Sequence, residues 1–324
     1  MRKQKQEKPK TGNKHLLARC RENIMHGVFF ACALVSIAAV VLICLFLFVN
    51  GIPAIGKIGI FNFLLGDNWA PTDVPASYGI LPMILGSVYI TGGAILIGVP
   101  IGILAAVFLA KYCPKRPYKI VKPAVELLAG IPSIVYGFFG LIVIVPLIRT
   151  TFKVSGASIL AATIVLGIMI LPTVIGLTES AIRAVPDSYY EGALALGATH
   201  ERSIFRVVIP AAKSGIMAAV VLGIGRAIGE AMAVCMVAGN QPWMPQGILK
   251  GVRTLTANIV LEMGYAADLH REALIATGVV LFVFILIINL LFSILKNRSE
   301  EKSDRKGWVR CLALRFSRKK EAAK

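Results

Sequence analysis

Six stretches of the chain run for about twenty residues or more with almost no charged position: Gly27–Val49, Ile84–Ala110, Ala124–Ile148, Ala157–Thr178, Gly215–Gly239 and Ala273–Leu295. A helix rising 1.5 Å per residue crosses the hydrocarbon core of a bilayer in about 20 residues. Each stretch therefore reads as a membrane-spanning helix. Any one of them could be a core helix of a large soluble protein. Six in succession, with almost no period-2 alternation between them, argue against that. The first stretch is too long for the apolar part of a signal peptide, lacks a small-x-small cleavage site and follows a basic tail, so it reads as a retained anchor. The pattern predicts an all-α fold, a polytopic membrane protein with six transmembrane helices.

The polar segments divide the chain further. Residues 1–26 form a basic tail and residues 27–83 the first helix with an outer loop. Residues 84–295 form a five-helix core that includes a long inner loop at 179–214, and residues 296–324 form a second basic tail. Both tails read as solvated and poorly ordered. The outer connection from Asn50 to Met83 is rich in Gly and Pro, with Trp69 placed for a membrane interface; the other long outer connection runs from Asn240 to Glu272. Pro100, Pro132 and Pro172 predict kinks, because each removes a backbone donor. Gly98 and Gly102, like Gly225 and Gly229, are spaced for close helix packing, read here as packing within one subunit.

Charge fixes the orientation. The chain has 324 residues, is 56% hydrophobic with a mean hydropathy of +0.75, and carries a formal net charge of +18. Lys and Arg crowd both tails, the second–third connection (Lys111, Lys115, Arg116, Lys119, Lys122) and the fourth–fifth connection (Arg183, Arg202, Arg206, Lys213). Basic connections stay cytoplasmic, so both termini are expected inside. The tails lack interleaved aromatic residues, which argues against a nucleic-acid partner. Cys20, Cys32, Cys44, Cys113, Cys235 and Cys311 include no CxxC pair, and the four histidines have no metal-ligand spacing. No metal and no cofactor are expected.

Two motifs suggest nucleotide binding and fail. "GIPAIGKI" (Gly51 to Ile58) ends in Ile58 where a phosphate loop needs a hydroxyl for magnesium, and no strand precedes it. "GIGRAIG" has one residue too many for a dinucleotide fingerprint and lies within a span. ATP hydrolysis is therefore expected on a separate subunit. A membrane enzyme would need a nucleophile–base pair or metal cluster, and neither has useful spacing here.

The inner loop holds "PDSYYEGALALGATHERSIFRVVIP" (Pro186 to Pro210). Ser188 and Glu191 have capping-box spacing, Ala193, Leu194 and Leu196 favour a short helix, and Gly197 can end it in the left-handed conformation. A short helix on the cytoplasmic face suits docking into a partner's groove; a plain interfacial helix is the alternative. The order Glu191, Ala193, Gly197, Val207, Ile209, Pro210 resembles the E-A-A-x3-G-x9-I-x-L-P loop of binding-protein-dependent transport system inner-membrane components, the type I ABC importer permeases. It departs with Gly192, Val207 and Ile209. "YGILP", "ELLAGIPSIVYGFFGL", "ILPT", "EGALALGAT", "GRAIGEAMAV", "RTLTANI" and "LEMG" follow in the order of the phosphate-importer permeases of that family, from about Gly27 to Leu295. Ala231 stands where that subfamily commonly has Thr.

This resemblance implies a coupling loop (Glu191, Ala193, Gly197, Pro210) seated on a cytoplasmic ATPase dimer. It also implies a second homologous permease subunit, an extracytoplasmic phosphate-binding protein, inorganic phosphate as substrate and transport by alternating access, in the cell membrane of a prokaryote and in contact with its lipid. Arg226 and Glu230 are the charged residues within the fifth span. Each costs on the order of 2.5–3.5 kcal/mol at the bilayer centre. At i and i+4 they share a helix face and can pair, so they are either a packing salt bridge or the lining of an anion route. Arg226 would offer forked donors to phosphate. Glu126, near the inner end of its span, is a lesser candidate. Molybdate, sulfate or phosphonate remain as alternative substrates, and a proton-coupled secondary transporter as an alternative class.

Overall fold

The computed structural model describes residues 12–291 and 293–294, with side chains from Glu22 onward. Two units divide the chain after Asn50. The first is helical over its described length. Helix α1 (Gly12–Ile58) has 47 residues, about 70 Å at 1.5 Å per residue and so more than twice the hydrocarbon thickness. Residues 12–26, expected to be poorly ordered, are therefore helical. Residues 1–11 and 295–324, which hold the rest of the tails and Cys311, lie outside the described residues. The most apolar window of Glu22–Ile58 buries none of its side chains. A helix apolar on every face has the composition of a membrane span.

The second unit begins at Gly51. A short helix (Ile60–Leu65) leads into a two-stranded antiparallel ribbon, β1 (Trp69–Ala70) and β2 (Ser77–Tyr78), with Trp69 opposite Tyr78. Then come α2 (Leu81–Tyr112), α3 (Lys115–Gly130), α4 (Ser133–Phe152) and α5 (Ile159–Arg183). The inner loop contributes α6 (Asp187–Ala195) and α7 (His200–Ala211). Helix α8 (Lys213–Gly229) is followed by the short α9 (Met232–Val237), α10 (Leu255–Glu262) and α11 (Asp268–Leu291). Among the described residues five helices are long and apolar enough to cross a membrane: α1 from Glu22, α2, α4, α5 and α11. The pair α7 and α8, bent by 68°, makes a sixth if taken as one span.

Helix α5 is the centre of this unit. Its apolar window is 67% buried, against 33% for α2 and α4 and 22% for α11. Close approach of α2 to α5 depends on two glycines. A Cβ on Gly98 would lie 2.8 Å from Ile170 and 2.9 Å from the Gly167 carbonyl, and one on Gly102 would lie 2.8 Å from Val174. This is the packing within one subunit that their spacing predicts. Gly225 and Gly229 differ: a Cβ on either meets nothing within 4 Å.

Two spans break where the hydropathy runs on. Residues 124–148 do not form one helix, because α3 ends at Gly130 and α4 starts after Pro132, whose missing N–H cannot continue the ladder. Helix α3 buries none of its residues fully. Pro100 and Pro172, by contrast, lie inside continuous helices. Residues 215–239 are likewise interrupted at Glu230, whose backbone is extended (φ −72°, ψ 126°). Trp69 is not an interface anchor. It is 4% exposed, and its Nε1 donates to Glu262 Oε2 over 2.9 Å.

Candidate functional site

The expected pairing of Arg226 with Glu230 does not form. Helix α8 ends at Gly229, and the extended ψ of its C-cap, Glu230, brings the start of the next helix within reach of the Glu230 carboxylate. Glu230 Oε1 accepts the Ala233 N–H at 2.9 Å, capping the start of α9, and the Glu230 carbonyl accepts the Thr256 hydroxyl at 2.9 Å. A break inside an apolar segment frees backbone groups that lipid cannot satisfy; here the chain's own side chains do so. Arg226 turns instead to α5, where its Nη1 donates to Thr173 Oγ1 over 3.0 Å. Among the described residues Arg226 forms no ion pair. The half-exposed guanidinium thus keeps its charge uncompensated beside the open faces of Gly225 and Gly229.

The inner loop builds its helix from different residues than the capping-box spacing predicts. Helix α6 starts at Asp187, with Pro186 as its N-cap and no side-chain cap. Ser188 is already inside the first turn and cannot serve as the cap; the Asp187 carboxylate complements the helix N-terminus instead. The stop is as expected. Gly197 has φ +83°, its N–H donates to the Leu194 carbonyl (2.8 Å), and the Ala198 N–H donates to the Ala193 carbonyl (3.1 Å). These are the two bonds of a left-handed glycine stop. Glu191 and Gly197 face solvent, Ala193 is half-buried, and Leu196 is 91% exposed. Pro210 lies in the last turn of α7, at the bend into α8.

Three clusters that the sequence reading missed anchor this loop and the outer loops. Glu179, 2% exposed, accepts from the Tyr118 hydroxyl (2.7 Å), Lys122 Nζ (2.8 Å) and Arg183 Nε (2.8 Å). Arg183 also donates to the Leu109 carbonyl at 2.9 Å. The hydrogen bond to Glu179 raises the Tyr118 pKa above its ordinary value. Burial alone would lower that of Lys122, but its hydrogen bond to Glu179 and the charges of Glu179 and Glu126 raise it. Glu126, by contrast, is exposed, 3.5 Å from Lys122. The signal for Glu179 was an acid in the last turns of a span with Arg183 four residues on. A few residues away, the Tyr190 hydroxyl lies 2.6 Å from His200 Nδ1, and the His200 ring packs edge-on against Tyr112. At the other end, Glu262 receives Trp69 and Arg253, with His270 Nε2 at 2.8 Å.

Residues 98–301 match the family described as "Binding-protein-dependent transport system inner membrane component". The probable ABC transporter permease protein YqgH of Bacillus subtilis (strain 168) is 45% identical over 273 residues, 81% of this chain and 88% of its own length. The phosphate transport system permease protein PstC of Mesorhizobium japonicum is 36% identical, over 82% of this chain and 86% of its own. Among solved structures, a bacterial alginate ABC transporter in complex with its alginate-bound periplasmic protein aligns over 86% of this chain and 96% of its own, with a TM-score of 0.58 at 18% identity. The inward-facing MetNI methionine ABC transporter gives 0.55 at 19% identity, over 68% and 95%. The chain belongs to the binding-protein-dependent transport system inner membrane components, the permease subunits of ABC transporters.

Proposed function

We propose that this chain is one permease half of an ATP-driven importer of inorganic phosphate, with both termini in the cytoplasm. The observation that carries the reading is Arg226. It is a guanidinium within a membrane-spanning segment, with no acidic partner among the described residues, because Glu230 uses its carboxylate to cap α9. An unpaired charge at that depth is costly unless something else compensates it. A transported oxyanion does so, and the fork of the guanidinium suits phosphate. Phosphate is favoured over other oxyanions by the names of the PstC relatives.

The partners follow from the same arrangement. The exposed α6 with its glycine stop is the seat for a cytoplasmic ATPase dimer. The outer loops, joined at Glu262, receive a phosphate-binding protein. The open side of Gly225 and Gly229 faces a second, homologous permease subunit across the path.

The test is Arg226→Gln, alone and with Glu230→Gln, in the assembled transporter. The amide side chain introduced by Glu230→Gln keeps an oxygen for the Ala233 N–H, so both variants should assemble at normal levels. Neither should import phosphate, since nothing replaces the positive charge. Recovered transport in the double variant would sink the anion-path reading and leave Arg226 as a packing residue. Competition of labelled phosphate uptake by molybdate and sulfate then checks the substrate: neither should compete.

A further inference from the structure

Among the described residues Arg226 has one hydrogen-bond partner, Thr173, and that partner has capacity left over. We propose that the Thr173 hydroxyl is a second substrate-contacting group: its oxygen holds the guanidinium in place, and its proton is donated to the same oxyanion. The inference rests on the anion-path reading of Arg226.

A threonine hydroxyl has one proton to donate and two lone pairs that accept, whereas a guanidinium can only donate. In the 3.0 Å bond from Arg226 Nη1 the Thr173 oxygen is therefore the acceptor, and its proton points elsewhere. Helical Ser and Thr can place that proton on the carbonyl four residues back, although the buried Thr178 of the same helix does not. Ser180 in the same helix does so to Gly176 (2.9 Å), and Thr277 does so to Ala273 (2.9 Å). Thr173 does not: among the described residues its proton has no acceptor. The surroundings are not closed off either. Thr173 is half-exposed, and a Cβ on Gly176, one turn further along α5, meets nothing within 4 Å, as on Gly225 and Gly229 of α8. The hydroxyl thus stands beside the unused N–H groups of Arg226, both residues half-exposed, with open glycine positions on each of the two helices. A cation fixed by a hydroxyl, with that hydroxyl as an adjacent donor, is a two-residue oxyanion site on two different helices. Closing or opening the path by moving α5 against α8 would make or break it.

Thr173→Val keeps the shape and removes both the acceptor and the donor; Thr173→Ser keeps both. Each is assembled with its ATPase, partner permease and binding protein in proteoliposomes. Thr173→Val should lower phosphate transport about tenfold or more, the factor expected for a hydrogen bond to a charged group, while complex abundance and binding-protein-stimulated ATP hydrolysis stay normal. Thr173→Ser should transport within about twofold of the parent, a methyl group being a smaller loss than a charged hydrogen bond. In a background with the native cysteines replaced by serine, phosphate should slow modification of the Thr173→Cys thiol by a charged reagent, and chloride should not. Normal transport by Thr173→Val, equal loss with both substitutions, or no protection by phosphate would each overturn the proposal. If Arg226→Gln also transports normally, the anion-path reading itself has failed. If Arg226→Gln is inactive and Thr173→Val is normal, only the role of Thr173 falls.

Discussion

Glu179 shows how much one buried carboxylate can hold. Its side chain has three donors from two helices, and two of them, Lys122 and Arg183, are cations. Removing the charge would take from those cations their buried counter-charge, leaving Lys122 only the longer contact to Glu126. Breaking a buried pair in this way costs about 3–5 kcal/mol. Arg183 is 46% exposed and can recover water, so Glu179→Gln should cost about 3 kcal/mol, the lower end of that range. Thermal unfolding of the detergent-solubilised complex measures the loss, and Glu179→Gln combined with Lys122→Met should regain part of it. An unchanged midpoint for the single substitution would mean that the cluster is decoration. Residues of this kind were only partly legible in the sequence. Glu179 and Arg183 stand at i and i+4, but Tyr118 and Lys122 come from a helix whose position no local pattern gives. Arg226 and Glu230 had the same spacing and diverged, because the helix ends at Glu230 and each side chain finds another partner, Thr173 for the one and the Ala233 N–H for the other.

At the scale of elements, the inner helix was legible in outline and not in its first turn. Gly197 was identified by its place after an apolar run, and its φ of +83° bears this out. The start was misplaced by the Ser188 and Glu191 spacing, since Pro186 and Asp187 begin the helix earlier without any side-chain cap. The kink expected at Pro132 is a full break between two helices, while the break at Glu230 was hidden for a different reason. Hydropathy averages over a window and stays high across a turn whose polar groups are satisfied by distant residues such as Thr256.

The glycine stop also yields a clean experiment. A Cβ at Gly197 meets nothing within 4 Å in this chain, but the left-handed backbone strains any other residue by about 1–2 kcal/mol. Gly197→Ala carries the strain alone; Gly197→Arg adds bulk and charge that only a partner would feel. Gly197→Arg should abolish binding-protein-stimulated ATP hydrolysis at normal membrane levels, while Gly197→Ala should retain most of it. Equal loss in both would assign the effect to the helix stop and not to a docked ATPase.

For the whole molecule, contacts sort the connections into two groups without reference to charge. Trp69 from the first loop bonds Glu262 from the last, and Lys57 bonds Glu272 at 2.6 Å, so these two connections share one end of the second unit. The turn after α2, the start of α3 and the inner loop share the opposite end, through Arg183 on the Leu109 carbonyl and His200 on Tyr112. Helix α2, from Leu81 to Tyr112, separates the two groups by its full length. Packing therefore ties the sidedness of every loop to that of any one loop, and only the overall sign is left for charge to decide. The Arg183 group carries Lys111, Lys115, Arg116, Lys119, Lys122, Arg202 and Arg206, so the proposed orientation, with basic connections inside, puts that end in the cytoplasm. A reporter active only outside the cytoplasm should be active when fused after Asp73 and silent after Lys115 or Arg202. Reversal at all three sites would overturn the sign and leave the packing intact. Activity at both Asp73 and Arg202 would be worse for the structure, because it would place residues on one side of the membrane that α2 holds a bilayer apart.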